Sequence, residues 1–206
     1  PYAKEGELIL RLTAWGQNKE EALNAMEPVK QELYERLGKY IYGEGEEGLS
    51  TLVCQALINQ NLSISVAESC TGGMIADTLI GFSGISQVFE QGFITYSNKA
   101  KVKYLDVKQE TLDEYGAVSP QTAKEMAIGA RKAAEADIGI ATTGIAGPGG
   151  GSDEKPVGLV YIGLSIGDET YTYKLNITGN RQKVRHMTTM WAFYYLLQQL
   201  KTQHNE

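Results

Sequence analysis

Of the side chains that most often do covalent or metal chemistry, this chain has few: two histidines and two cysteines in 206 residues. Cys54 and Cys70 build no disulfide framework, and a reducing cytoplasm suits such usage. No Cys/His cluster has metal-ligand spacing, which argues against zinc. A Ser-His-Asp triad would have to use His186, since His204 sits in a polar tail, and a lone helix histidine reads first as a surface or packing residue. Any nucleophile here therefore needs another base. No apolar run approaches the roughly 18 residues that cross a membrane, and no signal-peptide pattern opens the chain. Positive charge is also scarce. The formal net charge is -6 with no long basic run, which argues against direct nucleic-acid binding.

What is present is core-forming. Hydrophobic residues make up 42% and charged residues 21%, as in a packed globular protein. The length suits one sizeable α/β domain with something small attached. Residues 8–14 alternate like a strand. Residues 18–37 follow as a helix capped by Asn18, with Leu23, Met26, Val29 and Leu33 inward. Residues 39–42 read as a second strand and 43–48 as a linker. Residues 1–47 are thus a partial β-α-β segment, read as the tail of a domain that begins earlier.

From residue 48 the pattern is α/β. Ser50 is placed to cap a helix through Asn59, with Leu52, Val53, Ala56 and Leu57 inward. Residues 63–67 read as a strand, 72–80 as a helix and 88–96 as a strand. Helices follow over 97–105, 108–115 and 119–136, the last with Pro120 at its first position. Residues 138–142 are a buried-type strand. Residues 157–166 and 169–178 pair across a Gly167-Asp168 turn, and 181–200 close the chain as a helix. The expectation is a three-layer α/β/α fold with a mixed sheet.

Four stretches carry candidate chemistry. Ser65 to Leu79 (SVAESCTGGMIADTL) turns from strand to helix through small residues, where N–H groups and a helix start favour an anion. Cys70 there has no histidine near in sequence to activate it and reads as a buried thiol. Ser86, Tyr96 and Lys101 flank one strand. Lys101 falls in the first turns of a helix, near Lys99 and Lys103, where a positive dipole end, burial and neighbouring cations depress an amine's pKa. Such depression suits a lysine base. Residues 142–152 (TTGIAGPGGGS) leave a strand's carboxyl end, where α/β folds bind ligands. Finally Thr178-Gly-Asn-Arg181, followed by Lys183 and Arg185, reads as an anion clamp at a helix start.

The motifs A-E-S-C-T-G-G, G-F-I-T-Y-S-N-K-A-K, G-A-V-S, T-G-I-A-G-P-G-G-G-S, E-K-P-V-G and G-N-R, in this order, resemble the CinA C-terminal domain, found alone as the PncC-type nicotinamide-nucleotide amidase. The resemblance covers roughly residues 49–200, and residues 1–47 resemble the end of the CinA KH-like region. It implies deamidation of nicotinamide mononucleotide to nicotinate mononucleotide and ammonia, in pyridine-nucleotide recycling, by a metal-free, cofactor-free Ser/Lys mechanism. It also implies a homodimer. The family's nucleophile motif lands on Ser86, its base on Lys101, its assisting tyrosine on Tyr96 and its arginine on Arg181. Ser69 takes a supporting role, with Ser69 as attacking alcohol left as the alternative. Thr71, Gly72, Gly73, Gly144, Ala146, Gly147 and Arg181 are the implied substrate-binding positions. The family's N-terminal domain, resembling molybdopterin-binding proteins, is expected to be absent, with its pyrophosphatase activity. Where members often carry Gly-Ser-Ser or Gly-Ala-Ser, this chain has Gly84-Ile85-Ser86.

Two other readings compete. A non-catalytic nucleotide-binding or protein-interaction module predicts stabilisation by nucleotide without ammonia release. A Rossmann-type oxidoreductase fits poorly, because Tyr96 and Lys101 are five apart rather than four and no G-x-G-x-x-G opens a helix.

Overall fold

A computed structural model describes residues 1–4 and 6–202; His204 lies outside the described residues. Two compact units divide between Leu49 and Ser50.

In the first unit, β1 (Tyr2–Lys4) pairs antiparallel with β2 (Glu7–Ile9), and α1 (Lys19–Leu37) follows. The Asn18 side chain accepts from the Glu21 N–H, the expected cap. The rest departs from expectation. Residues 39–42 form no strand: Gly38–Tyr40 is a 3-10 turn, and the Tyr42 hydroxyl donates to the Glu7 carboxylate at 2.6 Å. Glu7 also accepts from the Leu49 N–H at 2.9 Å, so side-chain bonds replace the ladder that a strand would have made. The expected β-α-β segment is β-β-α. On α1 the partly buried stripe runs through Ala22, Met26, Leu33 and Leu37, while Leu23 and Val29 are half exposed.

The second unit is a five-stranded sheet between helices. After α2 (Leu49–Gln60) come β3 (Ile64–Glu68), α3 (Met74–Ile80), a 3-10 turn (Ile85–Gln87), β4 (Phe89–Ile94), α4 (Asn98–Leu105), α5 (Gln109–Tyr115), α6 (Pro120–Ala133), β5 (Ile138–Gly144), β6 (Leu159–Ile166), β7 (Glu169–Asn176) and α7 (Arg181–Thr202). Ser50 sits inside α2 rather than capping it, and Leu52 and Ala56 are only partly buried, with Val53, Cys54 and Leu57 buried. The expected caps Ser97 and Ser119 accept from the N–H groups of Ala100 and Thr122. The strand order is β4-β3-β5-β6-β7, parallel through the first three and antiparallel beyond.

Residue size decides how the layers pack. On the α6 side, strand alternation and register bring together Ser65, Ala67, Gly139, Ala141, Gly163 and Ser165. These small side chains let α6 come down onto the sheet. A Cβ on Gly139 would stand 2.1 Å from the Ala127 carbonyl oxygen, and one on Gly163 2.2 Å from that of Ala123. The Ser65 hydroxyl uses the close approach to donate to the Ala130 carbonyl. The opposite face presents Ile64, Val66, Ile138, Ile140, Ile162 and Leu164, all buried.

The parallel strands place the functional edge. Chain leaving β3 turns through α3 to β4 on one side, while β5 lies on the other side of β3. The carboxyl edge of β3, between β4 and β5, is therefore a topological switch point, the place where open α/β sheets bind ligands.

Candidate active site

Ser69 follows β3 directly. Its backbone N–H donates to the Thr142 carbonyl at 3.0 Å, which extends the β3–β5 pairing by one residue and fixes where the side chain starts. The chain then turns through Gly72 and Gly73 at φ of +60° and +102°, a left-handed pair that glycine adopts freely. The turn holds Ser69 at the sheet edge, 8% exposed.

Lys101 reaches the same point from α4. Lys101 and Leu105, one turn apart, are the buried residues of that helix, whereas Lys99 and Lys103 face out. The Lys101 side chain is 1% exposed. Its Nζ lies 3.2 Å from Ser69 Oγ, 2.8 Å from the Thr95 carbonyl oxygen and 3.2 Å from that of Tyr96. No carboxylate pairs with it among the described residues. Burial pulls its pKa from 10.5 to about 8. Desolvation is the cause: of the burial and neighbouring cations expected from sequence, burial is the one that lowers it. At pH 7 roughly one molecule in ten then carries the neutral amine, against about one in two thousand for a free lysine.

The three oxygens around Nζ suit both protonation states. An ammonium donates to Ser69 Oγ and to both carbonyls. An uncharged amine has two N–H donors for the carbonyls, which leaves its lone pair to accept from the Ser69 hydroxyl.

Several expected positions are used differently. Ser86 is not part of this group. It is exposed on the 3-10 turn before β4, beside a cavity of about 280 Å³ lined by Ile80, Phe82, Ile85 and Phe89. Lys101 follows the other end of β4. Six strand residues at about 3.3 Å per step put on the order of 16 Å between the two ends, beyond a lysine's reach. Tyr96 contributes its backbone carbonyl; its ring is 65% exposed.

The glycine corner also departs from expectation, because it already holds an anion. The carboxylate of Glu68, fully buried, accepts from the N–H groups of Gly73, Ile75 and Ala76 at 2.9, 3.1 and 2.9 Å. It thereby satisfies the orphan donors at the start of α3. The Gly73 N–H is therefore already engaged. Thr71 is fully buried, its hydroxyl 2.7 Å from that of Thr142. Glu68 was missed by sequence reasoning, although an acidic residue ending an all-buried strand before two glycines was the available signal. Cys70 is the expected buried thiol, its pKa pushed up to about 12 by burial.

The other two stretches meet at α7. Asn180 Oδ1 accepts from the Lys183 N–H and caps the helix. Arg181 is exposed and donates to the Gly147 carbonyl at 2.9 Å. One turn later, Arg185 donates to the Cys70 and Thr71 carbonyls. The glycine-rich loop after β5 and the Ser69 turn are thus neighbours, pinned to one helix. In that loop Ala146 and Gly147 are buried. At Gly144 a Cβ would stand 2.8 Å from the Leu159 carbonyl oxygen, so glycine there serves packing against β6. His186 is half-buried on α7.

Among the described residues no group of three His, Cys, Asp or Glu side chains is placed to hold a metal, and no helix is long and apolar enough to cross a membrane.

Comparison with known proteins agrees with these motifs. Residues 46–200 match the family model described as the CinA C-terminal domain, and residues 1–43 match the damage-inducible protein CinA KH domain. A protein of Clostridium perfringens named "Putative competence-damage inducible protein" is 54% identical over 98% of this chain and 49% of its own length. A CinA-like protein of Kosmotoga olearia is 52% identical over 95% and 48%. The chain spans about half the length of the curated relatives it matches. Among solved structures, a CinA superfamily protein from Klebsiella pneumoniae superposes with a TM-score of 0.73 at 35% identity, over 75% of this chain and 96% of that one. A competence/damage inducible protein from Agrobacterium tumefaciens gives 0.70 at 39% identity, over 77% and 99%.

Proposed function

This chain belongs to the CinA family, and from that premise we propose that it hydrolyses the carboxamide of nicotinamide mononucleotide, giving nicotinate mononucleotide and ammonia in pyridine-nucleotide recycling. The observation that carries the reading is the Lys101 amine, buried with no carboxylate partner among the described residues and 3.2 Å from Ser69 Oγ. A buried lysine with no counter-ion costs stability, and an activated alcohol is what such an arrangement supplies.

In this mechanism Ser69 Oγ attacks the carboxamide carbon while its proton passes to Lys101 Nζ. The carbon–nitrogen bond then breaks, and the Lys101 ammonium returns the proton to the departing nitrogen, which leaves as ammonia. Water attacks the ester on Ser69, gives one proton to Lys101 and releases the acid; that proton restores the Ser69 hydroxyl. The Thr95 and Tyr96 carbonyls hold Nζ throughout and stabilise its charged form between the steps. Arg181, exposed beside the glycine-rich loop, is the candidate for the substrate phosphate. A homodimer, as the resemblance implies, belongs to the same proposal and is tested by sedimentation.

The decisive assay is ammonia release from nicotinamide mononucleotide, with nicotinamide and glutamine as controls. Release that Lys101→Met abolishes supports the amidase. Stabilisation by nucleotide with no ammonia would overturn it in favour of a non-catalytic binding module.

A further inference from the structure

The sequence reads Arg181, Lys183 and Arg185 as one cluster facing an anion, but the structure separates them. Arg181 and Lys183 are exposed. Arg185 is partly buried and turned the other way. Its Nε donates to the Cys70 carbonyl at 3.1 Å and its Nη2 to the Thr71 carbonyl at 2.6 Å; Nη1 lies 3.3 Å from Gln182 Oε1. One edge of the guanidinium therefore grips two successive carbonyls of the turn that begins at Ser69, and no carboxylate competes for it among the described residues.

Two physical consequences follow. A trans peptide unit points its C=O and N–H in opposite directions, so fixing both carbonyls on Arg185 directs the Thr71 and Gly72 N–H groups to the far side of the turn. The turn is also gripped by opposite charges. The Glu68 carboxylate takes N–H groups from Gly73 onward, and the Arg185 guanidinium takes the carbonyls before them. Gly72, between the two grips, sits at φ +60°, and a Cβ there would meet Arg185 Nη2 at 3.4 Å. A left-handed glycine is the turn's most adaptable point, and it lies three residues from Ser69.

We propose that Arg185 is a positioning residue for the reaction: it locks the 69–73 turn so that Ser69 Oγ stays on Lys101 Nζ, and it takes no part in binding the substrate phosphate. This rests on the amidase reading for its kinetic half only.

The test uses Arg185→Met and Arg185→Lys in the full chain, with two readouts. The first is amide hydrogen exchange, which needs no substrate. Exchange across residues 70–76 should quicken by about tenfold or more in Arg185→Met, the effect of losing charge-assisted bonds, with β5 and β6 unchanged. The second is steady-state kinetics on nicotinamide mononucleotide. kcat should fall about tenfold or more with KM within about twofold, and Arg185→Lys should recover part of kcat, because an ammonium grips only one carbonyl well. Unchanged exchange in Arg185→Met overturns the proposal, as does a raised KM at unchanged kcat, which would make Arg185 a substrate contact. If the unmodified chain releases no ammonia, the amidase reading fails and the exchange result alone decides the role of Arg185.

Discussion

The two ends of β3 and β4 each present a serine, a carboxylate and a turn, and only one end has the means to use them. At the carboxyl end, Ser69 meets a buried amine and Glu68 binds three N–H groups out of water. At the amino end, Ser86 is exposed beside an apolar cavity, and the carboxylate is Asp137, which exchanges bonds with Ser63 in solvent. A serine and a carboxylate recur at the two ends; the buried amine and the desolvation do not. In the proposed reaction, what would turn a serine from a surface alcohol into a nucleophile is the burial that drops Lys101 to a pKa of about 8.

The sharpest break of that contrast is to delete each serine. Ser69→Ala and Lys101→Met should each lower ammonia release by about a thousandfold or more, as losing a nucleophile or its base does. Ser86→Ala should stay within about threefold, and Tyr96→Phe likewise, since only the Tyr96 carbonyl touches the amine. A Ser86→Ala enzyme as dead as Ser69→Ala would remove the distinction between the two ends.

The pH profile tests the cause of that distinction. If neutral Lys101 is the base, kcat/KM should rise about tenfold per pH unit below about 8 and level off above, roughly fiftyfold between pH 6 and 8. Stability should follow with a defined sign. The folded pKa of about 8 lies below the ordinary 10.5, so between those values the unfolded chain binds a proton that the folded chain does not. Unfolding free energy should therefore rise with pH across that window in the unmodified protein relative to Lys101→Met, as urea melts would show. Below about pH 8 the penalty of the buried ammonium is present in full. A pH-independent difference between the two proteins would mean that burial does not perturb the amine.

The contrast also marks what could be read from the chain alone. Local signals were legible where one residue does one job: Asn18, Ser97 and Ser119 as caps and Gly167-Asp168 as a hairpin turn. Which serine meets Lys101 was not legible from spacing. Ser86 is nearer in sequence than Ser69, yet β4 intervenes between Ser86 and Lys101, while the β3–β4 pairing brings Ser69 to the carboxyl edge. The Glu68 cap depends on the same pairing, because only a strand buried on both faces isolates that carboxylate with the N–H groups of α3. Arg185 was indistinguishable from Arg181 until the helix face was known.

The two carboxylates give the next test. Glu68→Gln keeps size and one acceptor oxygen but places an NH₂ against backbone donors in a dry site. We expect a loss of about 2 kcal/mol in urea unfolding, with faster exchange at Gly73, Ile75 and Ala76. An effect below about 0.5 kcal/mol would show that water reaches this corner and that the carboxyl end is less isolated than its burial indicates.

The smallest effect is expected at the opposite end, and it completes the comparison. Asp137 Oδ2 accepts from the Ser63 N–H at 2.9 Å and from its hydroxyl at 2.7 Å, and the Asp137 N–H donates back to Ser63 Oγ at 2.9 Å. By count this lock, three bonds tying the starts of β3 and β5, equals the one Glu68 makes. Asp137 is exposed, however, so water replaces each bond that Asp137→Asn weakens. The cost should be about 0.5 kcal/mol, with ammonia release unchanged. A loss as large as that of Glu68→Gln would locate the difference between the two ends in strand registration rather than in desolvation, and the account of the Lys101 amine would need the same revision.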